Sequence, residues 1–390
     1  MNTPAPYDLA PIAWLMGMGV LIALGPLVWV WRRNAGHGVA RRLHALTVLV
    51  LFLTFDLTLF GAFTRLTDSG LGCPDWPGCY GAANPFAAHA DIKAAEALMP
   101  TGPVTLVKAW IEMIHRYLAM GIGFLCMTLM IKSWLQWRRM GRTEFAPALP
   151  TLLFLLVCVQ GAFGAWTVTL KLQPVIVTIH LLLGMTLLAA LAWMGARQDQ
   201  LHQPVVDVAL PSGVRLLALA SAIVLTVQIA LGGWVSTNYA SLACLDFPLC
   251  GGKLVPEMDF EHGFTLWRQL GMTAAGNYLP FSALTAIHWV HRNFAFVVLG
   301  VLGWTAWRAS AYPALRPVAR KIAIVLAAQF GTGLATVFLS FPLAIAVLHN
   351  AGAALLVLLV AMLNYKTATR LGGTQPASAS SPISSAKALP

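Results

Sequence analysis

The chain has 390 residues, of which 58% are apolar and only 10% charged, against roughly a quarter charged in a soluble domain. Its formal net charge is +11, yet the basic residues gather in short connections between long apolar stretches, so the charge marks membrane topology and not a nucleic-acid surface. The composition excludes a soluble fold and points to an all-α integral membrane protein.

In chain order, apolar stretches near residues 11–31, 46–67, 106–131, 146–169, 175–196, 214–237, 283–307, 320–340 and 343–364 are each long enough to cross about 30 Å of hydrocarbon as a helix. Basic groups follow alternate stretches: Arg32, Arg33, Arg41 and Arg42, then Lys132, Arg138, Arg139 and Arg142, then Arg197 and Arg215, then Arg308, Arg316, Arg320 and Lys321, and finally Lys366 and Arg370. All fall on one side, which the positive-inside rule makes cytoplasmic. The N-terminus is then on the outer side and the C-terminus on the cytoplasmic side of a multi-pass membrane protein. The first stretch has no basic region before it and no convincing cleavage site, so it reads as a retained helix. The tail 371–390 is rich in Ser, Ala and Pro and reads as disordered.

Leaving the first span aside, the sequence repeats. The stretch 61-GAFTRLTDSGLGCPDWPGC-79 aligns with 232-GGWVSTNYASLACLDFPLC-250 at an offset of 171, and 160-QGAFGAWTV-168 aligns with 329-QFGTGLATV-337 at 169. Four spans separate equivalent points, so the halves run in the same direction as parallel repeats about an axis along the membrane normal. The expected organisation is an extra helix with its basic loop (1–45), a four-helix half (46–196), a linker (197–213), a second four-helix half (214–366) and the tail (367–390). Gly164 and Gly333, in Gly-x-x-Thr-Val elements, serve either close helix packing or room for a flat macrocycle.

Each half carries two histidines just inside the outer ends of its helices: His115 and His180, then His291 and His349. Imidazoles at matched depth on facing helices suit the axial ligation of two haems. Zinc asks for three or four protein ligands, and no third ligand lies near in sequence. His37, His44 and His202, in cytoplasmic connections, and His89 and His262, in outer loops, read as surface residues. His288 stands three residues before His291, where the first half has Glu112 before His115. Glu112 is either paired with Arg116 or Lys108 or hydrogen-bonded to the imidazole, or it is a proton-handling group; Asp56, mid-helix, reads as the other buried acid, for a proton path or for packing. Arg65, Arg116 and Arg292 suit haem propionates. Cys73 with Cys79 and Cys244 with Cys250 fall in outer loops, where local disulfides persist, as staples or for exchange with a partner. Cys126 and Cys158 read as packing residues.

With these residues in place, the chain over about 46–366 resembles the haem A synthases of the cytochrome oxidase assembly pathway. The resemblance rests on the GAFTRLTDSGLGCPDWPGC loop, the Glu-x-x-His-Arg of Glu112 to Arg116, the Gly-x-x-Thr-Val elements, His180, His291 and His349. It implies oxidation of the haem o methyl group to the formyl group of haem a. It implies a substrate haem between His115 and His180, a haem b between His291 and His349, Glu112 as the essential carboxylate, and a functionally important first Cys pair. Its implied partners are the haem O synthase, other cytochrome oxidase assembly factors, a membrane electron donor and further copies of the chain; nucleic acid is not among them. The helix at 11–31 departs from the eight-helix pattern of that family. Two other functions stay open on the residues alone, a bis-histidine two-haem electron carrier and a haem-delivery chaperone.

Overall fold

Inside hydrocarbon a chain must satisfy its own backbone hydrogen bonds, which a single apolar segment does only as a helix. The computed structural model describes residues 8–201 and 211–368, so His202 and the Ser/Ala/Pro-rich tail lie outside the described residues. The elements are α1 (Ala10–Arg33), α2 (Val39–Leu66), α3 (His89–Leu98), α4 (Leu106–Met140), α5 (Ala148–Thr169), α6 (Pro174–Gln200), α7 (Ser212–Thr237), α8 (Phe260–Phe264), α9 (Phe281–Ser310), α10 (Arg316–Phe338) and α11 (Leu343–Ala368). Among the described residues nine of these are long and apolar enough to cross a membrane, at the places the sequence indicates. The short α3 and α8 lie in the outer loops, where no helix was expected. α4 extends well past its apolar core to Met140 and ends on Gly141, whose φ of 65° is the left-handed conformation that terminates a helix at least cost. At its start the Thr105 hydroxyl accepts from the Lys108 N–H at 3.2 Å, as an N-cap should.

In the first half α2 packs on α4, α4 on α5, α5 on α6 and α6 back on α2; in the second, α7, α9, α10 and α11 close the same ring. The halves meet through α2 with α11, α6 with α7, and α6 with α11, the set that a two-fold axis between them generates. Residues at equivalent positions touch directly across that axis. Arg65 donates to the Ser236 carbonyl, and the Tyr239 hydroxyl donates to the Asp68 carboxylate; both pairs are 171 apart. The Arg65 guanidinium also lies 4.1 Å over the Tyr239 ring.

α1 has no counterpart and packs against α4. The contact is close because glycines face it from both helices: a Cβ at Gly19 would come 2.3 Å from Met120, and one at Gly121 2.8 Å from Ile22. Small residues that let backbones approach are the usual basis of helix association in lipid.

Three expectations are corrected. Asp56 is not a buried acid: it is exposed, on the outer face of α2 that also carries Val48 and Phe52. Cys126 is buried in the core but Cys158 is exposed, so only the former is a packing residue. His44 lies in α2 and not in a connection. The four outer-loop cysteines form the disulfides Cys73–Cys79 and Cys244–Cys250. Each closes a loop of sequence separation 6, a size whose closure restricts the unfolded chain by about 2 kcal/mol. Alkylation of the intact protein without reductant is expected to label Cys158 first and to leave all four loop cysteines unmodified by mass spectrometry. Labelling of Cys73, Cys79, Cys244 and Cys250 under those conditions would contradict the loop structure.

Candidate functional site

The four histidines stand near the outer starts of their helices: His115 nine residues into α4, His180 six into α6, His291 ten into α9 and His349 six into α11. At 1.5 Å per residue they lie roughly 9–15 Å along those helices. His115 and His180 are close enough to interact electrostatically, as are His291 and His349. All four line one cavity of about 1080 Å³ that runs through both halves.

Each imidazole rests on a glycine of the neighbouring helix. A Cβ would approach the ring carbon Cε1 to 3.0 Å at Gly61 (His115), 3.2 Å at Gly164 (His180), 2.9 Å at Gly232 (His291) and 3.2 Å at Gly333 (His349). The glycines of the Gly-x-x-Thr-Val elements therefore serve close packing, with the imidazole of the neighbouring helix seated on them, and they also line the cavity. Gly61 and Gly232 play the same part and went unassigned from sequence, although they align at offset 171. Polar side chains complete the seats. Gln160 Nε2 lies 3.4 Å from His180 Nε2 and Gln329 Nε2 3.3 Å from His349 Nε2. Gln228 Nε2 lies 3.2 Å from His291 Nδ1 and Thr332 Oγ1 3.0 Å from His349 Nδ1. In the first half Leu57 and Phe163 occupy the positions of Gln228 and Thr332, and the buried Nδ1 atoms of His115 and His180 have no partner.

Above the rings, each disulfide loop is clasped in the same way. The Cys73 N–H donates to Glu112 Oε2 at 2.8 Å, while the other carboxylate oxygen accepts from Arg116. Arg116 also donates to the carbonyls of Gly78 at 2.7 Å, Asp75 at 3.0 Å and Pro77 at 3.3 Å. In the second half the Cys244 N–H donates to His288 Nδ1 at 3.3 Å, and Arg292 donates to the carbonyls of Asp246 at 2.6 Å, Leu249 at 2.7 Å and Pro248 at 3.4 Å. Arg116 and Arg292 thus hold loop backbone, and Arg65 bridges the halves; propionate recognition is not what these bonds display, although all three line the cavity with Glu112 and His288. Lys108, the other partner considered for Glu112, instead donates to the Gly102 carbonyl at 3.0 Å. Each loop folds round an aspartate: Asp75 accepts from the N–H groups of Tyr80 and Gly81, Asp246 from those of Gly251 and Gly252. The Gly252 and Gly251 N–H groups hold the Asp246 carboxyl below the usual carboxylate range.

Against known proteins, the cytochrome oxidase assembly protein family matches residues 44–361, beginning after α1. The chain is 37% identical to a protein of Shewanella oneidensis named heme A synthase, over 81% of this chain and 94% of that one. A heme A synthase of Erythrobacter litoralis is 30% identical, over 80% of this chain and 92% of its own length. One of Methylobacterium nodulans is 31% identical, with coverages of 81% and 89%. A family match spanning both halves, with relatives this similar along nearly their whole length, means that the chain belongs to the cytochrome oxidase assembly protein family.

Proposed function

We propose that this protein is a haem A synthase, which oxidises the methyl group of haem o to the formyl group of haem a within the membrane. The observation that carries the reading is the duplicated pair of glycine-seated imidazoles in one cavity, with a carboxylate beside one pair only. The residues fit haem better than a bare ion. Among the described residues no group of three or more His, Cys, Asp or Glu is placed to hold a metal ion, and zinc wants at least three protein ligands. Haem brings four in-plane nitrogens and asks the protein only for axial ligands. When bound, the haems supply the redox chemistry at the methyl group and the route for electrons.

In this reading His115 and His180 hold the substrate haem in the N-terminal half, and His291 and His349 hold a haem b in the C-terminal half. Arg65, Arg116 and Arg292 line the cavity as positive groups near the outer surface, where a propionate-bearing edge would lie. Glu112 clasps its loop, but His288 shows that a neutral imidazole performs that task. What the carboxylate adds is the capacity to carry a proton three residues from His115, one helical turn away. The positive-inside rule, applied to the basic clusters, supports a C-terminus in the bacterial cytoplasm and disulfide loops in the periplasm. The partners are a haem O synthase that supplies the substrate, a membrane electron donor, cytochrome oxidase assembly factors that take the product, and further copies of the chain.

Chromatography of haems extracted after co-expression with a haem o source tests the reaction: new haem a is expected, while unchanged haem o would indicate a carrier or chaperone. His291→Ala and His349→Ala are each expected to remove the haem b spectrum while leaving the protein inserted; retention of full haem b in both would end that assignment. Glu112→Gln keeps the acceptor for the Cys73 N–H but cannot exchange a proton. It is expected to retain haem and disulfide and to lose roughly 100- to 10,000-fold in haem a formation. A normal haem a yield from this variant would exclude proton transfer by Glu112.

A further inference from the structure

The imidazoles on α6 and α11 occupy equivalent places in the repeat, yet their Nδ1 atoms meet different neighbours. On α10 the Thr332 hydroxyl donates to the Gln329 carbonyl at 3.0 Å and lies 3.0 Å from His349 Nδ1. With its one proton committed to Gln329, the hydroxyl turns a lone pair to the ring, so Nδ1 carries the ring proton. Gln329 Nε2 stands 3.3 Å from His349 Nε2, as an amide N–H does when it donates to an unprotonated ring nitrogen. The Thr332 contact selects the tautomer with Nδ1–H held and the Nε2 lone pair presented, and the Gln329 amide is compatible with it. In the other half Gln160 repeats the second contact at 3.4 Å from His180 Nε2. Phe163, however, stands where Thr332 would be, and His180 Nδ1 is buried with no partner. The same tautomer there carries an unsatisfied donor, which weakens the hold on the ring.

We propose that Thr332 is a positioning residue that locks His349 as a fixed axial ligand, and that Phe163 leaves His180 unlocked so that ligand release belongs to the N-terminal half. The inference rests on the reading that a haem lies between each histidine pair. A ligating imidazole held through Nδ1–H is oriented and made more basic, which favours the oxidised metal and slow dissociation. Substrate and product haem must enter and leave the N-terminal half, whereas a resident haem must stay in the other. The difference between Phe163 and Thr332 has the sign that this division of labour requires.

The test uses the purified full-length protein with its resident haem. It measures haem transfer to apomyoglobin, the midpoint potential and the low-spin electron paramagnetic resonance signal. Thr332→Val, which removes the hydroxyl at nearly constant volume, is expected to release the C-terminal haem roughly 10- to 100-fold faster, with a more positive potential and a shifted signal. Thr332→Ser keeps the hydroxyl and is expected to restore all three. Wild-type release, potential and signal in Thr332→Val would overturn the proposal. His349→Ala separates the two levels: an intact haem complement in that variant defeats the haem reading itself, whereas its loss beside an unchanged Thr332→Val defeats only the lock. If Thr332→Val does not accumulate, Phe163→Thr places a hydroxyl beside His180 Nδ1 and is expected to slow haem release from the N-terminal half at least about tenfold. Unchanged release there overturns the proposal equally.

Discussion

A bare helix backbone beside each cavity-lining imidazole is the constraint from which the rest of the arrangement follows. A histidine within a membrane span must be packed, oriented and partnered by neighbouring helices, because no solvent stands ready to do it. The ring reaches its place only where the facing helix has no Cβ, at Gly61, Gly164, Gly232 and Gly333. That requirement fixes the rotation of α2, α5, α7 and α10 about their axes, since each must turn one particular residue toward one particular ring. It also fixes their depth. The repeat preserves the four Gly–His contacts while most other residues in the two halves differ, and the pseudo-symmetry of the bundle is the consequence.

Against that shared frame the two halves have diverged in the groups that carry chemistry. Glu112 and His288 occupy equivalent places, accept from equivalent cysteine N–H groups, Cys73 and Cys244, and stand beside equivalent arginines. One is a carboxylate with a second oxygen bound to Arg116; the other is an imidazole. Gln228 and Thr332 touch ring nitrogens in the C-terminal half where Leu57 and Phe163 leave them bare. Beside its rings the N-terminal half thus has a carboxylate and fewer partners at the ring nitrogens, and the C-terminal half has an imidazole in the carboxylate's place and more such partners. Such a split is what a substrate site coupled to a resident redox group would need.

Much of the fold was legible in the sequence because lipid forces apolar length and basic flanks into simple patterns. The nine spans, the four-plus-four repeat and the two loop disulfides all follow from hydropathy, spacing and compartment. Side-chain direction was not legible. Asp56 sits mid-span in an apolar run, and without the rotation of α2 nothing in the sequence distinguishes an inward acid from the outward one observed. The loop contacts of the arginines were not legible for a related reason. An Arg following a His invites thought of a ligand, but the loop carbonyls that Arg116 and Arg292 bind are 38 to 46 residues away. The glycine seats lay within reach, since Gly61 and Gly232 align in the same repeat that superimposes the cysteines.

The added helix bears on the same asymmetry. α1 lies before the family match and packs on α4, the helix that carries Glu112 and His115. Its Leu15 and Met16 reach the wall of the cavity, and Leu15 is 2% exposed, so this contact is part of the core and not a loose appendage. The reciprocal glycines Gly19 and Gly121 draw the two helices into backbone contact. The Glu112 carboxylate is tied to the loop through the Cys73 N–H, while its bond to Arg116 stays within α4, so the placing of α4 decides whether the loop bond is kept. Bracing α4 from outside keeps Glu112 aligned with His115 while the rings of that half remain unheld at Nδ1.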